Sequence, residues 1–347
     1  MWPRRLLLSV VTVVVLGCAA APTIDLGAWQ APVGRGHPLT GRIWDASADR
    51  FVTAEQLVAR LVRARYVLLG ERHDNPDHHR IQAALVRALL AAGRRPAVAF
   101  EMFTADDAGS IARHLAAAPR DAAGLAAAVD WKRSGWPDWA YYEPIAQAAL
   151  DAGLPIVAAN LAPATARALA RGDRSALPAG LAARHALDQP LPDGGEAALA
   201  RELHDAHCGH IPWERMDGMV LAQRARDATL ADGMLAAAVD GAVLIAGTAH
   251  VRTDRGVPAY LRARAPGASI AAVAPLEVRE EWTRPRHYAA AYEGRLPFDW
   301  VWFTPRMGDR DSCGRLGLPR TSEIRAPGSR GRRRSRRRRW TGCRRRR

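Results

Sequence analysis

Short apolar runs recur along the chain, each ending in a polar residue and followed by residues with helical spacing. Tyr66–Gly70 (YVLLG), Ala97–Phe100 (AVAF), Pro155–Ala159 (PIVAA), Ala242–His250 (AVLIAGTAH), Ser269–Glu277 (SIAAVAPLE) and Asp299–Pro305 (DWVWFTP) have the length of strands buried on both faces. Between the first two, Ile81, Ala84, Leu85, Ala88 and Leu89 share one helical face. Asn75-Pro76 supplies that helix with a cap and a first-turn proline, and Gly93 ends it. Thr53-Ala-Glu-Gln56 predicts a capping box for a helix reaching about Arg65. Further helices are predicted from near Thr104, over Ala140–Ala152 and over 256–264, and GRIWD and RFV predict a small hairpin around Asp45–Asp49. Strands alternating with helices define an α/β fold: a mostly parallel central sheet covered by helices, with a helical subdomain inserted at about 163–238.

The strands of a parallel sheet point the same way, so their C-terminal ends share an edge, where open α/β sheets bind ligands. Four apolar runs end there in groups that resist burial: Glu71 with His73, Glu101, Asn160, and His250 with Arg252. Two neighbouring glutamates would push one pKa up and act as acid and base. Two histidines with carboxylates are a donor set for a divalent transition metal. Histidine is also an axial haem ligand, and arginine pairs with a propionate. The alternative is that each residue only caps the helix that follows.

His204, His207 and His210 in ELHDAHCGHIP form a second group. Spacing of three places neighbours on one helical face, and Cys208-Gly209 ends that helix, leaving His210 in the turn. A solvated, histidine-rich helix end reads the same way. Trp131, Trp136 and Trp139, with Tyr141-Tyr142, either pack a loop onto the core or wall a flat ligand with a tyrosine oxygen near iron. The chain has no HExxH, CxxCH, GxSxG or P-loop, and no GxGxxG after a strand. Covalent haem, serine hydrolase, NTPase and dinucleotide readings therefore have no support.

Charge changes little in this picture. The formal net charge is +15, but 15 of the 50 basic residues lie in Gly314–Arg347 against one acid, leaving 35 basic and 34 acidic residues before it. The patterned part is nearly neutral, and no nucleic acid is expected to bind it. Residues 314–347 are an Arg-rich tail too poor in apolar residues to pack. Three readings of it stand open: a polyanion-binding segment, a disordered solvated tail, or the product of a shifted reading frame, since Lys132 is the only lysine against 49 arginines. At the other end, Arg4-Arg5 precedes LLLSVVTVVVLG, a basic region and a short apolar core as in a secretory signal. That segment stops at Val15-Leu16-Gly17-Cys18, which resembles a lipobox with Cys18 as the lipidated residue. Residues 1–18 thus read as a lipoprotein signal peptide, 19–40 as a tether and 41–313 as the domain. Cys208 and Cys313 are free to pair in an oxidising compartment, which spacing alone does not decide.

Taken in order, the lipobox, LLGERHDN, AFEMF, SGWPDWAYYEPI, AANL, HCGHIP, MVLAQRARDA, GTAHVRTDRGVPAYL and VWFTPR resemble the ChaN-like haem-binding lipoproteins over about residues 40–313. The wider superfamily includes Tiki proteases, TraB proteins and erythromycin-esterase-like enzymes. Its marks fall here on Gly70-Glu71, Glu101 and Gly247–His250. The resemblance implies an α/β core with a helical subdomain, non-covalent haem in the service of haem-iron uptake, a homodimer, and a lipid-anchored place in the cell envelope, at the outer membrane facing the periplasm. On this reading the candidate iron ligands are His210, Tyr142 and His78, with His73 and His250 also in the binding set and Arg252 as propionate partner. The alternative is a metal-dependent or two-histidine hydrolase, esterase- or peptidase-like. There Glu71 or Glu101 would activate water, and His73 and His250 would bind metal or shuttle protons. The tail after about Cys313 departs from the family pattern.

Overall fold

The computed structural model describes residues 24–237, 240–308 and 313. The signal peptide, Cys18 and the tail 314–347 lie outside the described residues. Eight strands form one sheet: β1 (Ile43–Asp45), β2 (Arg50–Val52), β3 (Tyr66–Leu69), β4 (Ala97–Thr104), β5 (Ile156–Asn160), β6 (Ala242–Ile245), β7 (Ile270–Glu277) and β8 (Trp300–Thr304). Helices are α1 (Ala54–Leu61), α2 (Pro76–Ala91), α3 (Ala108–Ala117), α4 (Ala122–Ala128), α5 (Trp131–Ser134), α6 (Glu143–Asp151), α7 (Pro163–Ala170), α8 (Leu181–His185), α9 (Gly195–Ala206), α10 (Met216–Ala236), α11 (Val257–Arg264) and α12 (Pro285–Ala289). The strand order is β2-β1-β8-β7-β3-β6-β4-β5. Every pairing from β8 to β5 is parallel, and the β1–β2 hairpin adds to β8 antiparallel. The fold is the α/β architecture read from the apolar pattern.

Both faces of the sheet are covered. On β3, Val67 and Leu69 join a core with α1, α2 and α6, while Tyr66 and Leu68 join a second core with α10 and α11. This is why the strand reads as a continuous apolar run rather than as an alternation. Helix α2 begins as its sequence predicts: the Asn75 side chain accepts the Asp77 N–H, Pro76 occupies the first turn, and Gly93 follows the helix in the left-handed region at φ +85°. Thr53 and Gln56 form the capping box of α1. Helices α7 to α10 occupy residues 163–236, with α10 packed against α7, α9, α11 and β5.

Two expectations differ from the structure. Strand β4 does not stop at Glu101 but continues to Thr104 through buried Met102 and Phe103, with a register shift against β5 between Phe100 and Thr104. A charged group inside a strand is tolerated because it is fully partnered, as described below. Residues 24–40, expected as a tether, are held on the domain from Ile24 onward. The buried Asp77 carboxylate accepts the Gln30 and Ala31 N–H groups at 3.0 and 2.8 Å. Val33 bridges Arg306, and Ala31 and Leu39 are buried. The Pro/Gly punctuation marks irregular backbone, but irregular backbone docks when a buried acceptor satisfies its N–H groups.

Asn75 also ties α2 to the sheet, donating from Nδ2 to Glu277 Oε1 at 2.8 Å and to the Pro305 carbonyl at 2.9 Å. Asn75→Ala is expected to destabilise the protein by about 2–4 kcal/mol, about 1 from the cap and the rest from stranding the buried Pro305 carbonyl and losing the bond to the part-buried Glu277. Urea denaturation checks this, and a loss below about 0.5 kcal/mol would show that the clamp is dispensable.

Candidate functional site

Six strand ends define a rim, and its centre is built from β3, β4 and β6. Gly70-Glu71 directly follows β3, Glu101 lies within β4, and Gly247 and His250 follow β6. Glu71 and Glu101 are each only 2% exposed. Two charges at such depth require partners, and the neighbouring elements supply them.

Glu71 Oε1 accepts the Tyr142 hydroxyl at 2.9 Å and His73 Nδ1–H at 2.7 Å. Its Oε2 faces His79 Nδ1 at 3.3 Å, and His79 Nε2–H donates to the His73 carbonyl at 2.9 Å. Burial raises the Glu71 pKa, but the two imidazoles outweigh it and hold the carboxyl well below its usual range. Gln82 Nε2 donates to the Leu69 and Gly70 carbonyls and so secures the turn that presents Glu71.

Glu101 is enclosed more tightly. Its Oε1 accepts Arg226 Nη2–H at 2.7 Å and lies 3.1 Å from His250 Nε2. Its Oε2 accepts the Gly247 N–H at 2.7 Å. Burial opposes ionisation, but His250, with His73 and Arg226, overrides it and holds the carboxyl well below its usual range. His250 Nδ1 lies 2.6 Å from Asp227 Oδ1. With a carboxylate on each ring nitrogen, His250 is an imidazolium: burial lowers its pKa, but Glu101 and Asp227 raise it to about 9. Burial pushes Asp227 up, partly offset by His250.

A glycine is required between the two groups. A Cβ at Gly247 would lie 3.0 Å from the His73 ring and 3.4 Å from Glu101 Oε2. The rim therefore joins Glu71, His73, Glu101 and His250 into one constellation. Asn160 reaches it through its Nδ2, which donates to the Glu101 carbonyl at 2.7 Å.

Several expected roles fail on geometry. His78 accepts the Arg72 N–H on Nδ1 at 2.7 Å and contacts Thr304 Oγ1 through Nε2 at 2.8 Å, so neither nitrogen is open to iron. Burial lowers its pKa to about 3, and it is neutral. Tyr142 is fully buried; burial and the Glu71 charge raise its pKa and keep its phenol protonated, so it orients Glu71 rather than ligating iron. His250 has both nitrogens engaged by carboxylates and is unavailable to metal or haem. Arg252, buried and expected to hold a propionate, is taken by Asp254 at 2.6 Å and Glu202 at 3.4 Å and lies over the Tyr292 ring. Among the described residues, no three His, Cys, Asp or Glu side chains are arranged to hold a metal ion.

Two expected imidazoles reach solvent, one part-exposed and one exposed. The His73 side chain is 37% exposed; Nδ1–H donates to Glu71, Nε2 lies on the Gly247 side of the ring, and the Glu71 and Glu101 carboxylates outweigh burial and raise its pKa, with Trp136 edge-on at 4.8 Å. His210 is exposed on the α9–α10 connection. The Cys208–Cys313 disulfide pins that connection, and the exposed Trp213 beyond it has the His204 ring edge-on at 4.7 Å. Trp131 and Trp139 pack the core with Phe103, so only Trp136 of the three tryptophans lines the rim.

Asp227, Arg226, His79 and Thr304 belong to the site although their chemistry was not singled out from sequence. A signal existed for two of them: Gln223, Arg226 and Asp227 stand at i, i+3 and i+4 of α10 and share a face. His79 was masked by the adjacent His78, and which of the pair faces Glu71 depends on the azimuth of α2.

The geometry defines an α/β protein with a charged constellation at the C-terminal rim of a parallel sheet. The family model for "Haem-binding uptake, Tiki superfamily, ChaN" matches residues 57–261, more than half of the chain. The chain belongs to this family. The structure is similar to that of ChaN of Campylobacter jejuni, solved with cofacially bound haem, at 21% identity and a TM-score of 0.58, covering 75% of this chain and 95% of that one. The type III effector HopBA1 aligns at 13% identity with a TM-score of 0.38, over 80% of this chain and 97% of that one. No curated protein matches the chain.

His250 neutralises two buried carboxylates, so His250→Ala is expected to destabilise the fold by about 3–5 kcal/mol at neutral pH. Its pKa is raised on folding, so its contribution is complete below the unfolded value near 6.5 and is lost as pH rises through about 9. The gap between wild type and variant in denaturant titrations should therefore narrow from pH 7 to 9.5. A gap that widens over this range would contradict the imidazolium assignment.

Proposed function

We propose that this protein binds haem non-covalently on the exposed face where the α9–α10 connection meets the rim, and acts in haem-iron uptake. Trp213 carries the reading. It is 53% exposed, the one large apolar side chain so placed among the described residues. A flat macrocycle needs an apolar wall as well as a ligand, and Trp213 with the His204 ring supplies one. His210, three residues earlier and exposed, is the iron ligand. Arg215, exposed and two residues beyond Trp213, takes over the propionate role from the internally paired Arg252. Membership of the haem-binding family supports the ligand class. His73 offers a second ligand position, favoured by its part-exposed side chain and the carboxylate behind its Nδ1, an arrangement that raises ligand basicity. The remaining features of the reading are lipidation at Cys18, anchoring in the envelope at the outer membrane facing the periplasm, and a homodimer, which the lipobox-like sequence and the family support.

Hemin titration followed at the Soret band tests this reading. Trp213→Ala and His210→Ala are each expected to weaken binding by about tenfold or more, and His210→Ala to shift the band. If His73→Ala has these effects and His210→Ala none, the iron sits at the rim. If no Soret change develops with wild type, the haem reading is wrong.

A further inference from the structure

A cleft of about 400 Å³ lies between the β1–β2 hairpin and the α12–Leu296 segment, with no role in the site above. Trp44 and Phe51 face each other across the hairpin register and make an edge contact at 4.8 Å. With Pro285 and Leu296 they form an apolar floor. Arg284, Arg286 and Arg295 stand at its edge and are exposed. Among the described residues no carboxylate lies within ion-pair distance of these three, whereas Arg72, Arg94, Arg184, Arg224, Arg226, Arg252 and Arg255 are all paired. Asp49 is the one acid among the lining residues, so the lining carries three arginines against one carboxylate.

The cleft is also remote from the rim. Asp45 is in register with Trp300, and the Ala46 N–H donates to the Asp299 carbonyl, so the hairpin turn lies at the start of β8. Thr304, which holds His78 at the rim, lies at the opposite end of that strand.

We propose that this cleft is a second binding site, for a small amphipathic organic anion with an aromatic or apolar body and a carboxylate, sulfonate or phosphate group. The body would fill the floor against Trp44 and Phe51. The acid group would bridge the guanidinium groups, whose planar donors match such oxyanions in pairs. A concave apolar floor with few convergent polar groups is the usual form of a small-molecule site. The net positive rim selects an anion over a neutral body of the same shape.

Fluorescence titration of the full chain with anilinonaphthalene sulfonate tests this, with the neutral N-phenylnaphthylamine as control. The sulfonate is expected to bind saturably at one equivalent, equally well before and after hemin loading. The neutral control, and the variant R284Q/R286Q/R295Q, should each be weaker by about tenfold. Trp44→Ala should weaken both probes. The three arginines are exposed, and unchanged far-UV dichroism and urea midpoint would confirm that the triple variant is folded. Displacement of the sulfonate by hemin, equal affinity in wild type and triple variant, or absence of saturable binding would each overturn the proposal.

Discussion

Two ionised carboxylates buried on central strands, one just past the end of β3 and one within β4, are the constraint around which this protein is arranged. Glu71 and Glu101 have almost no contact with solvent. In so dry a place an unpaired carboxylate costs several kcal/mol, and it either finds a partner or stays protonated. The partners come from four separate parts of the fold. His79 arrives on α2, Tyr142 from the segment before α6, Arg226 and Asp227 on α10, and His250 and the Gly247 N–H from the loop after β6. Satisfying two acids therefore sets the positions of helices on both faces of the sheet relative to one edge.

The same arrangement decides what the constellation can do. Imidazoles that neutralise buried acids are not available as ligands, and His250 is the clearest case, bracketed by Glu101 and Asp227. His78 is withdrawn in another way, by a backbone N–H on one nitrogen and a threonine on the other. Of the rim histidines His73, His78, His79 and His250, His73 is the one whose side chain reaches solvent. The network is therefore a rigid support, with its part-exposed member His73 at its margin. A second, positively rimmed cleft at the far end of β8 extends this separation of support from surface.

Much of the fold was legible along the chain. Uninterrupted apolar runs in β3, β4 and β6 identify strands covered on both sides, and Asn75-Pro76 and Thr53–Gln56 mark helix starts by local hydrogen-bonding chemistry alone. Docking of residues 24–40 was not legible. It depends on Asp77, whose carboxylate reaches backbone groups 46 and 47 residues away. The extension of β4 past Glu101 was hidden for a related reason: an isolated glutamate ends a strand, and a fully partnered one does not.

The sequence by itself determined the α/β alternation, the placement of Glu71, Asn160 and His250 at or just after the ends of strands, and the absence of motifs for covalent haem or nucleotide chemistry. These are properties of local periodicity and spacing. Only the tertiary structure decided how each rim histidine is engaged, that Tyr142 and Arg252 face inward to acids rather than outward to a ligand, and that Cys208 meets Cys313. The physical reason is that lone-pair availability is set by the partner on the other side of the ring. Here those partners lie in segments brought together only by the packing of α2 and α10 against the sheet.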